Sequence, residues 1–296
     1  IMKTFAPMTP REGRRAAELW ALTPDLHHLN HGSFGGAPLV VNEYQDQLLE
    51  QARTNPVRWF CELPDRIAEA RGRIAHQLGA DPDTVALVPN ASGGASALYH
   101  HLASRGPINV MVTSHGYGAV VMGAQRLARV TGGEFHEVAI PLDASAELVL
   151  ELVDHALSAR RIHLLVVDQI TSATARAFPT AELCDLGHAH GALVLVDGAH
   201  APGVLEQPVE TRADVWVGNL HKFWCAPHGA AALVRNNPDL DLYPLIDSWS
   251  APDPFPARFD YQGTLDATPW LCAPVAHDHL GTELGWAAIR EHSALS

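Results

Sequence analysis

Lysine is almost missing from this chain. Of its 20 basic residues only Lys3 and Lys222 are lysines. Basic charge is scarce altogether: 33 acidic residues leave a net charge of −13. No basic stripe is available to neutralise phosphates, which excludes nucleic acid as the main partner. Long apolar runs are missing too. No stretch approaches the roughly 18 apolar residues of a membrane span, and residues 1–15 lack the apolar core of a signal peptide. The four cysteines, Cys61, Cys184, Cys225 and Cys272, are scattered and form no CxxC. That pattern argues against a disulfide framework and fits a reducing cytoplasm. Histidine is plentiful at 18 residues. Pairs such as His188 and His190, however, diverge on a helix, and no HExxH or Cys/His cluster occurs. No metal is expected.

What is present reads as one large core with room for a small satellite: 296 residues, 47% hydrophobic, 18% charged. Short apolar runs alternate with helical spacing, which places the chain in the α/β class. Strands are expected over 84–89, 108–113, 134–140 (an edge), 162–167, 193–197, 214–217 and 229–234, the last antiparallel to the rest. Helices are expected over 11–22, 40–53, 64–78, 91–101, 115–130, 146–158 and 179–191, with 55–60 as a break. Beyond Asn236 the chain is rich in Pro and Asp and poorly periodic.

Two stretches concentrate the chemistry. Val194-Leu195-Val196-Asp197-Gly198 is a β-rich apolar run stopped by a carboxylate and a glycine, so Asp197 falls at a strand's carboxyl end, where ligands bind in open α/β sheets. Gly218-Asn219-Leu220-His221-Lys222 follows the next apolar run, and Lys222 leads into Phe223, Trp224 and Cys225. Apolar surroundings lower a lysine's pKa and make its amine nucleophilic. A lysine that forms a Schiff base with pyridoxal phosphate (PLP) needs that property, and the PLP ring nitrogen needs a carboxylate. Asp197 and Lys222 meet both needs. A turn aspartate and a surface lysine are the plainer alternative for each residue taken alone. Asn90-Ala91-Ser92-Gly93-Gly94, between a strand and a helix, suits an anion at a helix start.

These stretches resemble the paired motifs of class V aminotransferase-like PLP enzymes, and most closely the isopenicillin N epimerase-like branch. Leu29-Asn30-His31-Gly32-Ser33, Asn90-Ala91-Ser92, Pro179-Thr180-Ala181-Glu182 and Gly263-Thr264-Leu265-Asp266 match that branch in the same order. The resemblance implies the type I PLP-dependent transferase fold, α/β with a mostly parallel seven-stranded sheet flanked by helices. It implies a homodimer with shared sites and pyridoxal 5'-phosphate as cofactor. Lys222, Asp197 and the ring-stacking Tyr117 become the catalytic candidates, with His115 as second choice for stacking. Ser92, Gly93, Gln169, Ser172, His200, Asn219, His221 and the partner-reaching Thr264 join them in holding the cofactor. Asn30 and His31 look like wall residues, and Arg58 is a candidate clamp for the substrate carboxylate.

The expected organisation is an N-terminal segment at the active-site mouth (1–38), a large PLP-binding domain (39–250), and an interface segment with the start of a small C-terminal domain (251–296). Branch members continue past the segment matching 281–294 into that domain, so the C-terminal domain is apparently missing. The expected activity is chemistry at the Cα of an amino acid or amino-acid conjugate, epimerase-like, in natural-product or amino-acid metabolism. A C–S or other β-lyase, an aminotransferase, and a truncated non-catalytic homologue remain as alternatives.

Overall fold

A computed structural model describes residues 8–10, 13, 15–23, 25 and 27–295. In chain order the elements are α1 (His31–Phe34), α2 (Leu39–Thr54), α3 (Pro56–Leu78), β1 (Val85–Val88), α4 (Ala91–Leu102), β2 (Val110–Thr113), α5 (Gly118–Thr131), β3 (Phe135–Val138), α6 (Ala146–Ser158), β4 (Leu164–Asp168), α7 (Thr180–Ala189), β5 (Leu193–Asp197), β6 (Val215–Asn219), β7 (Ala231–Arg235), α8 (Thr268–Glu283) and α9 (Trp286–Leu295).

The strands form one seven-stranded sheet in the order β1-β7-β6-β5-β4-β2-β3. Only β7 runs against its neighbours, β1 and β6; the remaining pairs are parallel. Its central strands are continuous apolar runs because both faces are covered. Side chains alternate between the two covers. Leu164, Val166, Leu195, Val215 and Val217 pack under α4 and α5. Leu165, Val167, Val194, Val196 and Trp216 pack under α3, α6, α7 and α8. The same alternation puts Asp168, Asp197 and Asn219, the last residues of β4, β5 and β6, at one end of the sheet on the α4–α5 side.

Three segments differ from the sequence expectation. Residues 55–60 do not separate two helices by a loop. The Asn55 side chain accepts from Arg58 N–H as an N-cap, and Pro56 opens α3, which runs on through Pro64. Proline fits the first helical position, where its missing N–H costs nothing, and so starts this helix instead of breaking the chain. The helix expected over 11–22 shrinks to a 3-10 turn, Ala16–Leu19; residues 11, 12 and 14 lie outside the described residues. Past residue 236 the chain is irregular as far as α8, apart from a 3-10 turn at Ala257–Phe259. That helix is buried along a continuous run, Thr268–Pro274, so its first half has no polar stripe for a periodicity argument to find. It packs on α2 and α3.

Candidate active site

The site sits beyond the carboxyl ends of β4, β5 and β6. Asp197 is 2% exposed. Its Oδ1 accepts the Ala199 N–H at 3.0 Å, whereas Oδ2 is buried with no hydrogen-bond partner. Burial raises its pKa, against the pull of the Ala199 N–H and of Lys222. Such an acceptor is costly to bury unless something donates to it.

Lys222 lies on the turn after β6. Its Nζ is 2.7 Å from His200 Nε2 and 5.8 Å from the centre of the Tyr117 ring. Burial lowers the pKa of the amine; Asp197 and Asp168 oppose the shift. His200 Nδ1 meets the Ile170 carbonyl at 3.3 Å, which fixes the tautomer with Nδ1–H donating and Nε2 free to accept from the lysine. Burial, then the Lys222 charge, lowers the His200 pKa, so this imidazole is neutral near neutral pH and can share a proton with the amine.

The N-terminal segment closes over this loop. A Cβ on Gly32 would lie 3.2 Å from the Phe223 ring and 3.6 Å from His200 Nε2, and one on Gly35 would collide with the His221 carbonyl. Glycine is required for that close approach. His31, one residue before Gly32, has its ring edge-on to Trp20 and His28 at centroid distances of 6.0 and 4.6 Å, and burial followed by His28 lowers its pKa. Asn30 caps the short α1 through Ser33 N–H. His221 is anchored away from the lysine, with Nδ1 at 2.8 Å from the Ala230 carbonyl. Burial pushes the Cys225 thiol up to about 12, so it stays protonated and is no nucleophile.

The start of α4 is tied to the same strand ends. Asn219 Oδ1 accepts the Ala91 N–H at 2.8 Å, and Asn90 Oδ1 accepts the Gly93 N–H at 2.8 Å. Ser92 stands between them, half-buried. Gln169 Oε1 is taken by Trp216 Nε1 at 3.0 Å, on the α7–α8 side of the sheet. Ser172 is half-buried in the loop after β4. His115 is spent in the core, with its ring nitrogens 3.0 Å from Thr174 Oγ1 and 3.0 Å from the Ile140 carbonyl, which leaves Tyr117 as the exposed aromatic beside Lys222.

The structure thus gathers Lys222, Asp197, His200, Tyr117, Asn219 and Ser92 at one end of the sheet, with α1 drawn over it. Three expected residues stand apart: Gln169, on the other face of the sheet, and two at the surface. Arg58, on the first turn of α3, pairs with Glu62 at 2.7 Å and its side chain is 72% exposed. Thr264 is exposed after Gly263, which takes a φ of +87°. One residue was overlooked: Asp168, 3% exposed, in register with Asp197 across β4 and β5. Burial, then Asp197, raises its pKa to about 8; a hydrogen bond from the Tyr117 backbone and the charge of Lys222 work the other way. The signal was available, since Leu164–Asp168 ends in a carboxylate just as Leu193–Asp197 does.

Comparison with known proteins adds to this geometry. The family model described as Aminotransferase class-V matches residues 38–245. An isopenicillin N epimerase from Streptomyces clavuligerus is 29% identical over 288 residues, spanning 91% of this chain and 72% of that protein. A protein described as a probable chloroplastic L-cysteine desulfhydrase from Arabidopsis thaliana is 28% identical, spanning 85% of this chain and 57% of that protein. Among solved structures, a complex between the cystine C–S lyase C-DES and its product cysteine persulfide superposes with a TM-score of 0.74 at 19% identity, over 87% of this chain and 72% of that one.

Proposed function

The chain belongs to the class V aminotransferase family of PLP-dependent enzymes, and from that premise we propose that it acts at the Cα of an amino acid or amino-acid conjugate through Lys222. The observation that carries this reading is the pairing of a buried, donor-less Asp197 oxygen with a half-buried lysine amine at the same strand ends.

These residues fit the cofactor. Asp197 Oδ2 supplies the acceptor that a protonated ring nitrogen needs. Ser92, at the positive end of α4, supplies donors toward a phosphate, with Gly93 leaving the backbone accessible. Asn219 fixes that helix start, and Tyr117 offers a ring face. Bound there, PLP withdraws electrons from the substrate's Cα. Lys222, paired with the neutral His200, takes and returns the Cα proton, and the low pKa that burial gives the amine suits it to that task. His200, accepting a hydrogen bond at Nε2, holds the amine in place. Ser172, in the loop after β4, borders the pocket; Asn30 and His31 form the wall that α1 brings over it.

Inversion at Cα calls for a second proton donor on the opposite side, and Tyr117 and His31 are this chain's candidates. That favours an epimerase-like outcome, in line with the Streptomyces relative. The desulfhydrase relative supports a second reading, loss of a β-substituent as in a C–S lyase, which needs no second donor. Incubation with amino acids in heavy water separates them. An epimerase puts deuterium at Cα and yields both stereoisomers. A lyase releases a keto acid and a thiol without inversion. A PLP-loaded chain that exchanges no Cα proton of any amino acid would contradict the proposal and favour a non-catalytic homologue.

A homodimer belongs to the same proposal. Exposed Thr264 then reaches the partner's phosphate site and Arg58 is freed to meet substrate across the interface, with residues 39–250 as the cofactor-binding domain and 251–296 leading to the interface. No helix among the described residues is long and apolar enough to cross a membrane, and the cytoplasm suits the chemistry. Light scattering that finds a monomer with tightly held PLP would overturn the shared site.

A further inference from the structure

PLP asks for one carboxylate at its ring nitrogen, and Asp197 provides it. Asp168 stands in register beside it, on the same side of the sheet and equally buried, with no part in that account. What lies over Asp168 is the peptide that opens α5. A Cβ on Gly116 would sit 3.7 Å from Asp168 Oδ2, and the backbone N–H of the next residue, Tyr117, acts on the Asp168 carboxyl to lower its pKa. Tyr117 is the N-cap of α5 and makes no side-chain cap of its own. The start of a helix leaves backbone N–H groups without partners and favours a negative group; here that group comes from the neighbouring strand end. Tyr117 is 43% exposed, so core packing does not hold it. Its place, 5.8 Å from Lys222 Nζ, follows from where its backbone is pinned.

We propose that Asp168 is a positioning residue of this site: it pins the Gly116–Tyr117 peptide at the start of α5 and thereby sets the Tyr117 ring against the Lys222 amine. The proposal rests on Lys222 being the cofactor's lysine. The titratable groups that face Asp168 are Asp197 on β5, Lys222 after β6 and Tyr99 on α4, whose phenol is raised chiefly by burial and then by the two carboxylates. A protonated Asp168 still accepts an N–H, so the positioning does not depend on its charge.

The near-absence of lysine makes the test direct. With 13C at lysine Cε, the full chain shows two lysine signals, from Lys3 and Lys222, and Lys222→Arg assigns the second. Tyr117→Ala gives the Lys222 shift without the ring. At pH 6, where Asp168, raised to about 8, is protonated, Asp168→Asn keeps both the oxygen acceptor and the charge, and should leave the Lys222 signal at its wild-type position. Asp168→Ala should move it to the Tyr117→Ala position. Asp168→Glu keeps the acceptor but pushes the 116–117 peptide outward by a methylene, and should also move the signal, which preserves the test if the alanine variant does not fold. In the PLP-loaded chain the visible circular dichroism of the cofactor should follow the same order. An Asp168→Ala or Asp168→Glu signal at the wild-type position, or an asparagine variant displaced as far as alanine, overturns the proposal. Labelling of Lys222 by borohydride in the loaded wild type is scored separately. Its failure would count against the lysine assignment, while the shifts still judge Asp168 and Tyr117.

Discussion

Two buried aspartates lie by opposite ends of β5, Asp214 just before the neighbouring β6 and Asp197 as the last residue of β5 itself, and they are treated in opposite ways. At the amino end, Asp214 is 7% exposed and fully engaged: Oδ2 accepts the Val194 N–H at 2.7 Å and meets His188 Nε2 at 2.9 Å, and Oδ1 accepts from Asn237 at 2.6 Å. At the carboxyl end, Asp197 is more deeply buried, yet Oδ2 has no donor, and a second carboxylate, Asp168, lies beside it. The same residue type, beside one end of β5 and on the other, therefore serves two purposes. Asp214 ties β5, β6 and α7 together. Asp197 is kept short of partners, a cost that folding alone does not reward and that a ligand can offset.

The comparison is most sharply tested by neutralising each end in turn. Asp197→Asn should leave the fold intact and still admit PLP, but slow Cα proton exchange about a thousandfold, equivalent to about 4 kcal/mol of barrier; near-normal exchange would remove Asp197 from its role. At the other end, Asp214→Ala should cost about 3 kcal/mol of stability, because it strands the Val194 N–H and the Asn237 amide, while Lys222 keeps its reactivity toward PLP. Denaturant unfolding measures the first effect, and an unchanged midpoint would end the structural assignment.

The paired carboxylates should also show in the pH dependence of stability. Asp168 in the folded cofactor-free chain has its pKa raised to about 8 by burial and by Asp197, above its unfolded value of about 4. A raised pKa means that the folded state holds its proton more tightly. The stability this contributes is complete below about pH 4 and is lost as pH rises through about 8. Asp197, also raised by burial, adds to the same slope, and the two titrate as a pair. Asp168→Asn should flatten the profile over that window; a slope unchanged from wild type would contradict it. The smallest effect belongs to Thr264→Val, expected to weaken PLP retention about tenfold, about 1.4 kcal/mol, without altering the unfolding midpoint. Equal PLP affinity in the two proteins would take Thr264 out of the site.

The functional end of the sheet was legible because its signals are local. An apolar run that stops at a carboxylate marks a strand end, and a lone lysine before Phe223 and Trp224 marks a desolvated amine. The seven strands followed from the same kind of run, and β7 from its place after a glycine turn. What escaped depends on tertiary partners. Asp168 carries the same strand-end signal as Asp197, but the cofactor's chemistry asks for only one carboxylate, so nothing in the sequence gave the second a task. Gln169 is the residue next to it, and strand alternation turns it to the other face, where Trp216 takes its oxygen. Pro56 looked like a breaker because its role as first helical residue depends on the Asn55 cap. Helix α8 was hidden because its first half, Thr268–Pro274, is buried without a break.

The central claim is that Lys222, opposite Asp197, is the residue through which this chain uses its cofactor. Borohydride treatment of the PLP-loaded protein, followed by peptide mapping, tests it in one step, since Lys3 and Lys222 are the only lysines that could carry the label. The account predicts a pyridoxyl group on the Lys222 peptide, absent from Lys222→Ala. A label on the Lys3 peptide, or no label on a protein that demonstrably binds PLP, would contradict it.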